Sequence, residues 1–119
     1  MQKQALGRWG EDYAEKYLLE KEYVIIHRNV QTRYGEIDLI ALKENVVVFV
    51  EVKTRSTLSY GYPEEAITQA KKEHILQAAE AFLLTSPFVD YDWQVDVIAI
   101  QRLSNDVQPV VTHFENAFT

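Results

Sequence analysis

Four ionisable residues in the first half of the chain are placed as a phosphate-handling site would need them. Glu36 and Asp38 stand two apart in Gly35-Glu36-Ile37-Asp38-Leu39-Ile40-Ala41, and Glu51 and Lys53 stand two apart in Val48-Phe49-Val50-Glu51-Val52-Lys53-Thr54-Arg55. Residues two apart in an extended strand share a face, so each segment sets a polar pair on one side of an otherwise apolar run. A two-residue loop at Glu44-Asn45 would join the runs as a hairpin. In that register Lys43 pairs with Val46, Asp38 faces Glu51 and Glu36 faces Lys53, with opposed Cβ atoms about 4.5–5.5 Å apart. Two opposed carboxylates repel and each carries a desolvation cost. A divalent cation between them relieves both, and Mg²⁺ takes a few carboxylates while keeping waters for a substrate phosphate. Lys53 beside it would orient or activate the attacking water, or stabilise charge developing on the phosphate. The bland alternative is that Asp38 and Glu51 each pair with Lys53 or an arginine, as strand acids usually do. Two acids and a lysine on one face of apolar strands favour a site. Glu36 alone reads as a partner for Lys53 or as a strand-edge acid.

The elements that position these groups follow from patterning. Residues 4–21 predict a helix, with Leu6, Gly10, Tyr13, Ala14 and Tyr17 on one face and Arg8, Asp12 and Glu15 opposite. Residues 23–30, 35–42 and 46–54 predict three strands by their β-branched content. The two central ones are apolar on both faces: Ile37, Leu39 and Ala41 against Ile40 and Leu42, and Val46, Val48, Val50 and Val52 against Val47 and Phe49. Strands of that kind are buried from both sides by helices. Residues 64–84 predict a second helix, with Pro63 before its first turn and Glu64 and Glu65 complementing its dipole. Lys71 falls inside its apolar stripe of Ile67, Ile75, Ala78 and Phe82; such a lysine either snorkels outward or points into a site. Residues 93–101 predict a fourth strand, and 108–113 a weaker fifth. The outline is a single α/β domain over 1–119 with three layers, a mixed central sheet and the order α-β-β-β-α-β.

The two motifs, Gly35 to Ala41 and Val48 to Arg55, resemble the YraN-type family of uncharacterised bacterial proteins. That family is similar to archaeal Holliday junction resolvases and falls in the restriction-endonuclease-like, PD-(D/E)xK superfamily. The resemblance covers roughly residues 6–101. It implies Asp38 and Glu51 as metal ligands for Mg²⁺ or Mn²⁺, and Lys53 as the catalytic lysine. On the first helix Gly7, Gly10-Glu11 and Ala14 resemble the family's glycine–acid–alanine pattern, which implies Glu11 as a further acid beside the metal; an ordinary boundary acid is the rival reading. The resemblance also places a lysine at Lys71, which favours a site or phosphate role for it. Arg55 is a candidate for phosphate binding or a surface ion pair, and Arg8 is a further basic candidate on the first helix. Arg28-Asn29 matches a family feature read as structural. Where the family often carries an arginine shortly before Asp96, this chain has Gln94.

Charge bears on partners. The net charge is −6, against the basic balance usual in nucleic-acid-coating domains. Residues 1–55 carry nine Lys/Arg and nine Asp/Glu, whereas 56–119 carry three against nine. A basic contact surface therefore comes from Arg8, Arg28, Arg33, Lys53 and Arg55, joined by Lys71 and Lys72. The chain has no cysteine, which excludes disulfides and thiolate zinc sites. No signal peptide is visible and no apolar run approaches bilayer length, so the cytoplasm is the default and no membrane is expected. His27, His74 and His113 form no ligand spacing and read as structural. Trp9 and Trp93 read as core or interface aromatics, Asp96 as a capped or paired strand acid, and Tyr60 and Tyr62 as packing under a loop in preference to stacking on bases. The leading expectation is a metal-dependent nuclease acting on structured or branched DNA, a substrate implied by the resemblance alone, with a homodimer implied by the need to cut two strands. A non-catalytic nucleic-acid-binding module is the alternative. A phosphohydrolase of small substrates comes third, since no glycine-rich phosphate cradle is present.

Overall fold

A computed structural model of the protein describes residues 3–56, 67–104 and 108–118. The chain is α/β, with two helices and one five-stranded mixed sheet. The elements are α1 (Lys3–Glu20), β1 (Val24–Thr32), β2 (Gly35–Lys43), β3 (Val46–Arg55), α2 (Gln69–Leu84), β4 (Asp92–Gln101) and β5 (Val110–Phe114). The weak fifth strand is present. The strands lie in sheet order β1-β2-β3-β4-β5. The first three form an antiparallel meander, β4 runs parallel to β3, and β5 returns antiparallel to β4. A parallel neighbour needs a crossover, and α2 supplies it. No helix among the described residues is long and apolar enough to cross a membrane.

Two apolar clusters lie against the helices, and alternation along β3 divides them. Val48 and Val50 join Leu39, Ala41, Ile98 and Ile100 with Ala14 and Leu18 of α1. Val47 and Phe49 join Ile40 and Val95 with Ile75, Ala78, Ala79 and Leu83 of α2. Both helices present residues three to four apart, as one-sided burial demands. On β2 alternation fails at Ile37. Ile37 was expected beside Leu39 and Ala41, but it packs in the α2 cluster with Ile40 and Leu42. Its ladder partner changes too: β2 is paired with β3 only from Leu39↔Val50 to Lys43↔Val46, whereas its pairing with β1 continues to Thr32↔Gly35. Beyond Leu39, β2 therefore follows β1 alone, and the face it shows no longer follows from the hairpin.

Element ends have identifiable causes. At the end of α1, Glu22 takes a left-handed φ of 69° and Tyr23 N donates to Leu18 O at 3.0 Å, the six-residue closure that satisfies a terminal carbonyl. Two residues, Glu44 and Asn45, separate β2 from β3, as the spacing predicts, and Glu44 takes φ 56°. The second helix starts later than its sequence suggests. Ile67 and Thr68 are not helical, and the Thr68 hydroxyl accepts from Lys71 N at 3.1 Å, the preferred N-terminal cap. Tyr60, Tyr62, Pro63, Glu64 and Glu65 lie outside the described residues.

Asp96 is fully buried on the α1 side of β4 and is held structurally, as a paired strand acid. Its Oδ1 accepts from Gln94 Nε2 at 2.8 Å and Asn116 N at 2.9 Å, and its Oδ2 meets His113 Nε2 at 2.7 Å. His113 Nδ1 in turn meets the Tyr17 hydroxyl at 3.1 Å. Gln94 thus completes a buried network. Replacing His113 by alanine is expected to destabilise the fold by about 2 kcal/mol, because a buried carboxylate loses a charge-assisted partner. Urea unfolding checks this, and divalent-cation affinity should not change.

Candidate functional site

The polar groups gather where β2 parts from β3. Asp38 lies one residue past the last ladder pair, and its Oδ2 accepts from Val52 N at 2.8 Å. The side chain takes over a backbone hydrogen bond at the fork, which fixes its carboxylate between the two strands. Burial first, and the Glu51 carboxylate second, push the Asp38 carboxyl from its ordinary 3.8 up to about 8. The Val52 bond works the other way without prevailing.

Glu51 is almost fully buried and is turned toward two lysines. Its Oε1 lies 3.4 Å from Lys53 Nζ and 3.2 Å from Lys71 Nζ. Lys71 comes from the first turn of α2, whose start is fixed by Thr68, so the cap sets where this ammonium arrives. Burial, then the neighbouring Lys71, lower Lys53 below the ordinary lysine value. Burial also opposes charge on Lys71, but contact with Lys53 and the Glu51 carboxylate outweigh it and raise Lys71. The positive charge is thus held preferentially by Lys71, and Lys53 parts with its proton more readily.

On the other side of the fork, one carboxylate oxygen each from Glu11, Glu36 and Asp38 lie within 4.8 Å of one another. Gly10 brings Glu11 there. A Cβ at Gly10 would lie 2.0 Å from Thr54 Oγ1 of β3, so α1 approaches the sheet more closely than any side chain at that position permits. Arg28 bonds Asp12 at 2.7 Å and Glu11 at 3.4 Å. Asn29, in a left-handed conformation at φ 52°, donates through its amide to Glu36 at 2.9 Å and Glu11 at 3.0 Å. These two residues, read from sequence as structural, hold the acids in place.

The sequence-derived set is thus largely brought together. Asp38, Glu51, Lys53, Lys71 and Glu11 share the fork. Two placements differ from expectation. Glu36 does not pair with Lys53; it bonds Gln31 across the β1–β2 ladder and joins the acid trio, because the hairpin register that would oppose it to Lys53 stops at Leu39. Asp38 and Glu51 are electrostatic neighbours, but Glu51 is absent from the trio and faces the lysines. Arg55 continues β3 two residues past Lys53, opposite Gln101, and neither its buried Nε nor the Gln101 amide has a partner among the described residues. Arg8 is exposed on α1, one turn before Glu11. Tyr34 and His74 were not singled out for the site, yet both line a cavity of about 450 Å³ that opens beside Glu36, Asp38, Glu51 and Lys71.

The donor set suits a hard divalent cation. It offers carboxylate oxygens alone, grouped closely enough for shared coordination. Asp38's raised proton affinity shows how unfavourable its negative charge is there without a positive partner. Among the described residues, no cysteine or histidine belongs to the trio.

The profile of the uncharacterised protein family UPF0102 matches residues 10–100. A UPF0102 protein of Syntrophotalea carbinolica is 42% identical over 117 residues, covering 98% of this chain and 94% of its own. One of Syntrophomonas wolfei is 43% identical over 113 residues, 95% and 96% of the two chains. One of Geobacter sulfurreducens is 46% identical over 113 residues, 95% and 88%. The matched span includes every residue of the fork.

Proposed function

The chain belongs to the uncharacterised protein family UPF0102, and from there we propose that it is a divalent-cation-dependent nuclease of restriction-endonuclease-like architecture that hydrolyses phosphodiester bonds in structured or branched DNA. The observation that carries the reading is the meeting of Asp38, Glu51 and Lys53 at the β2–β3 fork. The two helices against two clusters and the order α-β-β-β-α-β are consistent with that architecture. The choice of branched DNA comes from the resemblance to Holliday junction resolvases.

Asp38 and Glu11 would hold Mg²⁺ or Mn²⁺ together with Glu36, the third acid of the trio; Glu51, which meets both lysines through Oε1, would contribute through its other oxygen. A bound cation supplies Lewis acidity at a phosphoryl oxygen and lowers the pKa of a bound water. The protein's own groups divide the remaining work. Val52 N holds the Asp38 carboxylate in register. Glu51 anchors both lysines through one oxygen. Lys53, with its lowered proton affinity, is the group suited to proton handling at the attacking water. Lys71, held charged and more exposed than Lys53, is suited to meet a phosphate oxygen. Arg55 and Arg8 are proposed as outlying phosphate contacts.

The test is cleavage of labelled linear duplex, single strand, flap and four-way junction with Mg²⁺ or Mn²⁺, beside Asp38→Ala and Lys53→Ala. Cutting that both substitutions reduce by at least about a hundredfold is expected. Gln94, bound inside the Asp96 network where the family often carries an arginine, favours a second reading, a non-catalytic nucleic-acid-binding module. No cutting of any substrate, with cation binding lost in Asp38→Ala, would favour that one over the nuclease. DNA binding in either case should weaken steeply with salt.

A further inference from the structure

The cavity beside the fork is lined by groups of two chemical kinds. Glu36, Asp38, Glu51 and Lys71 are the groups assigned to cation and phosphate. Tyr34, Ile75 and Ala78 are apolar or aromatic, and His74 joins them. Ile75 and Ala78 are buried and Tyr34 is half-buried against the α2 cluster. Tyr34 stands in the β1–β2 turn, where Tyr34 N donates to Thr32 Oγ1 at 3.1 Å. That turn closes through Gly35 at φ +129°, a conformation costly for any side chain. The aromatic ring is therefore placed by a short, hydrogen-bonded turn. Arg33 beside it rests over the Tyr34 ring at 5.2 Å, a cation–π contact.

A volume of about 450 Å³ is small for a ligand pocket. A lining that combines apolar and aromatic side chains with phosphate-binding groups matches one nucleotide: base against Tyr34 and Ile75, phosphate toward Lys71. A base inside a duplex cannot enter, because it is stacked and paired. An unpaired base can, and one at a junction or flap is already partly free of the energy that holds it in the stack. We propose that this cavity receives a single unpaired nucleotide next to the bond to be cut, which makes the substrate class nucleic acid with unpaired or extrudable bases and disfavours intact duplex. This deepens the nuclease reading and rests on it for the word "cut", but the pocket itself can be tested by binding alone.

The experiment titrates the full chain, with Mg²⁺, separately with thymidine 5′-phosphate, 2-deoxyribose 5-phosphate and a short thymidine oligonucleotide, following the His74 ring signals by NMR. The nucleotide is expected to bind about tenfold more tightly than the sugar phosphate, since stacking on an aromatic face is available only to the base, and to move the His74 signals. Tyr34→Ala should bring the nucleotide down to the sugar phosphate and leave the latter unchanged, while Tyr34→Phe, which keeps the ring and the fold, should bind as the wild type does. The oligonucleotide should bind more tightly than the mononucleotide. Equal affinity for nucleotide and sugar phosphate, or an advantage that survives Tyr34→Ala, overturns the pocket assignment whether or not the chain cuts DNA. An oligonucleotide no tighter than the mononucleotide overturns the substrate class in favour of free nucleotides. A nucleotide advantage in a chain that cuts nothing upholds the pocket and sinks the nuclease reading.

Discussion

Asp38→Asn is expected to make the cation-free protein more stable at pH 8 by up to about 5 kcal/mol while reducing cation-dependent cleavage at least about a hundredfold. The sign follows from the direction of the shift. The folded state raises the Asp38 carboxyl from 3.8 to about 8, so it keeps a proton that the unfolded chain releases. Between about pH 4 and 8 the unfolded state binds fewer protons, and stability falls as pH rises. Below about pH 4 both states are protonated and the penalty vanishes; above about 8 it is present in full. Asparagine mimics the protonated acid, and its amide oxygen can still accept from Val52 N. Wild type and variant should therefore have similar stability near pH 4 and diverge toward pH 8 in urea unfolding with chelator present. Adding Mg²⁺ should close the gap by stabilising the wild type alone, since a ligand of the folded state stabilises by mass action. A variant less stable than the wild type at pH 8 would show that Asp38 is a structural acid.

Gly10→Ala is the second large effect, with an expected loss of about 3 kcal/mol. In an exposed helix interior that change would gain about 1 kcal/mol of helix propensity. Here the new Cβ would meet Thr54 Oγ1 at 2.0 Å and Thr54 Cβ at 3.0 Å, contacts that force α1 away from β3 and outweigh the propensity gain. Thr54 precedes Arg55 and follows Lys53, and Gly10 precedes Glu11, so the same displacement moves two site residues. Thr54→Ala removes the closest atom but leaves its Cβ, so the double variant should recover part of the loss, a non-additivity that a double-mutant cycle in urea unfolding measures. A Gly10→Ala protein as stable as the wild type would remove the close helix approach from the account of Glu11.

The central acids and lysine were legible because they interrupt apolar strands, where a charge needs a reason, and because a short connection fixes the register of the hairpin. That register is correct from Leu39↔Val50 to Lys43↔Val46. It misled beyond Leu39, where Glu36 was paired with Lys53 and Ile37 with the wrong face. The end of a ladder is decided by a contact distant in sequence, the Asp38 side chain on Val52 N, and alternation alone carries no mark of it. Asn29 and Gln31 reach Glu36 through a β1–β2 ladder whose register shifts between Ile25 and His27, an irregularity equally silent in composition. Lys71 was legible, since an ammonium within an apolar helical stripe has few places to go. The start of α2 was misplaced because Pro63, Glu64 and Glu65 form a plausible helix start, although Thr68 three residues before Lys71 was an equally good capping signal. The Asp96 network joins residues as far apart as Tyr17 and His113, and no local pattern predicts such a meeting.

The sheet order has a kinetic consequence. The meander that gathers Glu11, Asn29, Glu36, Asp38 and Glu51 is made of contacts short in sequence, whereas Lys71 and the β3–β4 pairing, which begins at Val46↔Asp92, require a long crossover. Short loops close at lower entropic cost and are favoured early. Chains also emerge from the ribosome N-terminus first. The carboxylates are therefore synthesised, and able to crowd together with Lys53 alone to offset them, before Lys71, the second lysine at Glu51, exists. A divalent cation present at that moment would act as a nascent-chain folding ligand, so cation starvation should lower the yield of folded protein before it affects any finished molecule.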